Sequence, residues 1–166
     1  MTKNMQSEAS LNEMKANKEM DADILQYQTN KLSANCVLLA IVLNVLYFAN
    51  IFGTIEENVG SYYYTISTGF SVIYNLLFLL FAFMCSEGVK NYKINLSITV
   101  IFIGLMQFLR IIYIPLKAFQ AEVMSGGIFA YNVVLLIVSG VLCIVGGIVG
   151  ILKALKLKKH LNKKVG

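Results

Sequence analysis

Four apolar stretches, at about 34–53, 69–85, 94–116 and 127–152, fill most of this 166-residue chain and contain a single charged residue, Arg110. A helix of about twenty residues rises about 30 Å, the thickness of a bilayer's hydrocarbon core. Inside lipid no water satisfies open backbone groups, and four strands cannot close a barrel, so each stretch is expected to be a helix. The expectation is an all-α integral membrane protein built as a four-transmembrane-helix bundle. Its composition, 57% hydrophobic and 14% charged, fits lipid as the main solvent.

The charges sort the remaining segments. Lysine and arginine outside the spans number four in residues 1–33, two in 86–93 and six in 153–166, against none in 54–68 and one in 117–126. The positive-inside rule then predicts both termini in the cytoplasm of a cell with an inner (plasma) membrane location. Residues 1–33 form a cytoplasmic arm in which Ser10 and Glu13 match a helix-start capping box, so a short helix is expected there. Residues 153–166 are expected to prolong the fourth helix as a basic extension. There Lys153, Lys156, Lys158 and Lys159 would reach the anionic lipid headgroups. About thirty polar residues precede the first span, so it is expected to stay in the mature chain rather than serve as a cleaved signal. The wealth of Lys, Asn and Ile points to an AT-rich, bacterial genome.

Arg110 is the most informative residue, six positions before the end of the third span and about 9 Å beneath it at helical rise. Two placements are open to it. It either faces the bundle interior or a water-filled cavity, or snorkels outward past Tyr113 and Lys117. The same depth arithmetic puts Asn50, Asn75 and Asn132 near it, with Gln107 one turn away on its own helix face. Each helix is thus expected to give an amide or guanidinium to one polar layer, which either glues the bundle or lines a small cavity open to the outside. In the latter case Glu56, Glu57 or Glu122 would neutralise Arg110. Asn44, near the midplane, is expected to make one hydrogen bond between helices. Tyr47, Tyr74, Tyr113 and Tyr131, with Tyr62, Tyr63 and Tyr64, read as an aromatic belt at the outer interface.

The fourth span has small residues three or four apart, Ser139, Cys143, Gly146, Gly147 and Gly150, so that one helix face can approach a neighbour closely. The neighbour is either span one or two of the same chain or another subunit. In the latter case Gly147→Leu would break the contact and spare the monomer.

Chemistry-bearing patterns are scarce. His160 is the sole histidine and sits in the basic tail, and no metal-ligand spacing, nucleophile elbow or glycine-rich phosphate loop occurs. Neither an enzyme nor a cofactor or metal site is expected. Thirteen of the fourteen basic residues are lysines without interleaved aromatics, which argues against nucleic acid. The three cysteines, Cys36, Cys85 and Cys143, lie in or at the edges of spans and imply no disulfide framework. Small size, a glycine-rich face and spans free of acidic residues suggest a non-enzymatic accessory or stabilising subunit of a larger complex, such as a transporter. Its partners would be membrane lipids and another multi-span protein. The alternative is a small homo-oligomeric channel or transporter with a polar cavity in the outer leaflet.

Overall fold

The computed structural model describes Met14 and residues 29–54, 62–120 and 124–165. Glu56, Glu57, Glu122 and the capping box of the N-terminal arm lie outside the described residues. The chain is all-helical where described: α1 is Lys31–Thr54, α2 Tyr62–Lys90, α3 Ile94–Tyr113, α4 Pro115–Gln120 and α5 Gly126–Val165. Four stretches are long and apolar enough to cross a membrane, Lys31–Gly53, Gly69–Lys90, Ile94–Gln120 and Gly126–Asn162.

Inward positions recur every three or four residues, the spacing by which helices in a bundle interlock. On α1 they are Ala34, Val37, Ala40, Asn44, Tyr47 and Ile51; on α2 they are Ser71, Asn75, Phe78, Ala82, Cys85 and Val89. On α3 the buried stripe is Ser97, Val100, Gly104, Gln107 and Arg110, whereas Phe102, Leu105, Leu109 and Ile112 face outward. The more polar side of that helix therefore points inward, as expected when the surrounding solvent is lipid.

Around the bundle the order is α1, α2, α3, α5, with α5 packed most extensively on α3 and α1 and the α2–α3 seam the sparsest. The α1 start, α2 end, α3 start and α5 after Gly150 share one end, because a side chain added at Gly150 would meet Ser33, Val89 and Ser97. Lys31, Lys90, Lys93 and Lys153 therefore gather at that end. Two apolar clusters stack along the axis. The one nearer the lysines is built on Val37, Ala40, Phe78, Ala82 and Val100, the other on Tyr47, Ile51, Leu135 and Leu136.

Several boundaries differ from the sequence reading. Helix α2 starts at Tyr62 and runs to Lys90, so the three consecutive tyrosines form its first turn and the α2–α3 connection shrinks to three residues. A Schellman cap closes it: Lys93 N–H bonds to the Gly88 carbonyl (3.0 Å) and Tyr92 N–H to that of Val89 (3.1 Å). Tyr92 takes the left-handed position there, with φ 57°. The third span is broken at Ile114, because Pro115 has no N–H to continue the ladder and restarts a short helix. Helix α5 is continuous through the basic extension.

Candidate functional site

The polar residues of the spans assemble at the junction of the two apolar clusters, on an unexpected centre. Asn44 Oδ1 accepts from Arg110 Nη1 (2.9 Å) and Gln107 Nε2 (3.3 Å), while its Nδ2 donates to Asn75 Oδ1 (3.1 Å). Asn75 Nδ2 in turn donates to the Ser71 carbonyl at 2.8 Å. Asn44 and Asn75 each accept at the oxygen and donate at the nitrogen, so the bonds polarise one another in a low dielectric. Asn44 is the hub and ties together three helices, including α1 and α3, which face each other across the bundle.

Arg110 does not snorkel outward. Helical side chains lean toward their own N-terminus, and this one leans toward the bundle centre, only 5% exposed. Its guanidinium carbon lies 4.4 Å from the centroid of the Tyr47 ring and 4.8 Å from that of Tyr74. Two negative ring faces thus do for this cation much of what a carboxylate would do. This corrects the belt assignment for both tyrosines: Tyr47 is fully buried and Tyr74 half-buried, whereas Tyr113 and Tyr131 are exposed. Among the described residues no acidic group lies near Arg110; Glu87 pairs with Lys90 at the lysine-rich end.

Asn50 and Asn132 belong to a second, separate pair. Asn50 Nδ2 donates to Asn132 Oδ1 at 2.8 Å, and Asn132 also approaches the Met124 sulfur at 3.8 Å. One common layer of four helices is therefore replaced by a three-helix hub and an α1–α5 pair. Counted from the lysine-rich end at helical rise, Asn44 and Gln107 both stand about 20 Å up, while Asn50 stands about 28 Å up. Arg110 starts about 25 Å up and its long side chain spans the difference.

The small-residue face of α5 closes inside the chain. A side chain added at Gly147 would sit 2.5 Å from Ile101 Cγ1 and 2.7 Å from the Ser97 carbonyl of α3. At Gly146 it would meet Cys36, Ser33 and Val37 of α1. Ser139 Oγ donates to the Ala40 carbonyl (3.1 Å), Ser33 Oγ to the Gly146 carbonyl, and Cys143 is fully buried. Span one is a neighbour, as one of the alternatives had it; the other is span three, against which Gly147 packs within the chain. Sequence reading missed Gly104 and Gly140, whose backbones meet: a side chain at Gly104 would lie 2.8 Å from the Gly140 carbonyl. Their seven-residue step from Gly140 to Gly147 is the signal that could have found that second face.

Of the lysines in the basic extension, Lys153 is half-buried and Lys156, Lys158 and Lys159 are exposed. No group of three or more potential metal ligands occurs among the described residues. Unused hydrogen-bonding atoms surround the hub: Arg110 Nε and Nη2, Gln107 Oε1, Tyr47 Oη and Ser71 Oγ are buried without a partner among the described residues. Two of these residues, Arg110 and Ser71, line a cleft of about 450 Å³ that opens sideways between α2 and α3. Set against known protein families, curated proteins and solved structures, the chain matches none.

Proposed function

We propose that this chain is a non-enzymatic accessory or stabilising subunit of a larger assembly in the inner (plasma) membrane, such as a transporter. Both termini and the lysine-rich end lie in the cytoplasm, where the α5 extension meets anionic lipid headgroups. The observation that carries this reading is the inward wiring of the polar layer: Arg110, Gln107 and Asn75 all bond to Asn44 rather than line a passage. With the α5 small-residue face also consumed within the chain, the bundle offers its neighbours a rigid body with a wide lipid-facing belt, including Phe70, Leu76, Phe102 and Leu109. Association of such surfaces in lipid rests on packing and not on hydrophobic drive.

A homo-oligomeric channel is less well supported, since the amides that would line it hold the helices together. Purification in mild detergent with mass spectrometry of co-purifying proteins tests the proposal. The expected result is stoichiometric recovery of an unrelated multi-span protein. A clean homo-oligomer that conducts ions in liposomes would overturn it.

A further inference from the structure

The α2–α3 seam contains two adjoining cavities. The first, about 450 Å³, lies between Phe70, Ser71 and Tyr74 on one side and Met106, Arg110 and Tyr113 on the other. The second, about 310 Å³, continues from Tyr74 and Met106, which both cavities share, to Phe81, Phe102 and Thr99. Along α3 the pair extends from Ile114 to Thr99, about 22 Å at helical rise. Its walls are mostly apolar, with buried, unpaired polar atoms gathered in one place. There Arg110 and Ser71, 5% and 3% exposed, hold donor atoms that no described residue uses.

A guanidinium keeps its charge under all ordinary conditions, and with Nε and Nη2 unpaired among the described residues this one still has donors to offer an anion. The shape of the cavity limits which anion can come. A whole transmembrane helix, about 10 Å across, cannot enter between α2 and α3, which stay in contact along this seam. An extended hydrocarbon chain needs far less. From Arg110 to Thr99 the groove measures about 16 Å, close to the ~15 Å of one leaflet's hydrocarbon. A phospholipid's phosphate is held at the interface by its glycerol and second chain, whereas the Arg110 side chain leans inward to Asn44. A single-chain acid is free to sink to that depth.

We propose that the α2–α3 cleft binds one long-chain fatty acid, its carboxylate on Arg110 and Ser71 and its chain along the groove past Tyr74 and Met106. The half-buried Tyr74 ring, which lies over the guanidinium and forms a wall of both cavities, must turn aside to admit the carboxylate. The carboxylate then takes donors from Nε, Nη2 and the Ser71 hydroxyl, a charge-assisted set of the strong kind. The site is independent of the protein partner proposed above and stands or falls separately from it.

The test titrates oleate into the purified full-length chain in a mild nonionic detergent, with native mass spectrometry for stoichiometry and thermal unfolding for affinity. One oleate per chain is expected. Methyl oleate, which has the chain without the charge, should bind at least tenfold more weakly, and acetate, which has the charge without the chain, should give no shift at equal concentration. Arg110→Gln should weaken oleate at least tenfold and Ser71→Ala about threefold. Met106→Trp, which fills the junction of the two cavities and keeps Arg110, should abolish binding, while Val134→Trp on the lipid-facing side of α5 should leave it unchanged. If Arg110→Gln does not fold, the methyl ester and Met106→Trp still decide. The proposal is overturned if oleate and its ester bind alike, if Met106→Trp binds normally, if dioleoyl phosphatidylglycerol displaces oleate, or if a photo-crosslinker at Leu109 captures a polypeptide instead.

Discussion

The two seams of α3 are built on opposite terms. Toward α5 its backbone comes within contact of the facing backbone, because Gly104, Gly140 and Gly147 leave nothing between them. Toward α2 it keeps its distance, and aromatic and methionine side chains border two open cavities. The first seam resembles a protein interior, where every added atom must displace another. The second resembles a protein surface that happens to hide a cation. The lesson is that one helix can serve as structural wall and binding wall at once, provided its small residues and its large ones fall on different faces.

The sharpest way to break this comparison is to add bulk on the tight side. Gly147→Leu should cost about 3 kcal/mol or more and prevent a stable bundle. Gly127→Leu, where an added side chain meets nothing within 4 Å, should stay within about 0.5 kcal/mol. Reversible unfolding in mixed micelles measures both, and equal effects would show that α5 does not pack on α3 as described.

The hub comes next. Asn44→Leu removes the acceptor of Arg110 and Gln107 and should cost about 2 to 3 kcal/mol. Adding Arg110→Leu should recover at least about 1 kcal/mol of that, since a buried charge without its partner is worse than no charge. A strictly additive double variant would argue that the two residues do not meet.

Asn50→Leu should be milder, about 0.6 kcal/mol for the neutral hydrogen bond to Asn132 that it breaks between helices. The same unfolding assay reads it, and a cost equal to that of Asn44→Leu would return Asn50 to the central layer. Smallest of all is Leu109→Ala on the open seam, 59% exposed, which should change stability by less than about 0.5 kcal/mol. A larger loss would mean that the seam is closed tightly enough to be structural.

Much of the architecture was legible in the sequence because hydropathy is a local property: a run of apolar residues long enough to cross lipid has one physical solution. The α5 face was legible for the same reason, since small residues three and four apart must share a side. The hub was less so. Depth arithmetic on Cα positions grouped Asn50 and Asn132 with Arg110, but arginine reaches several ångströms along its own helix and lands on Asn44 instead. Tyr47 and Tyr74 looked like interface anchors because an isolated tyrosine gives no sign of a buried cation beside it. The open seam left no local signature at all; it arises from which helices stand next to one another, and that is settled only in three dimensions.

The position of Asn44 also has a bearing on biogenesis. Domains and spans emerge from the ribosome in order, so the α1–α2 hairpin can join Asn44 to Asn75 and set Tyr47 and Tyr74 in place while Arg110 is still being synthesised. The third helix then delivers its cation to a receptor that already exists, and the glycine-faced last helix locks the set from behind. A costly charge thereby enters the membrane only once the chain has made somewhere to put it.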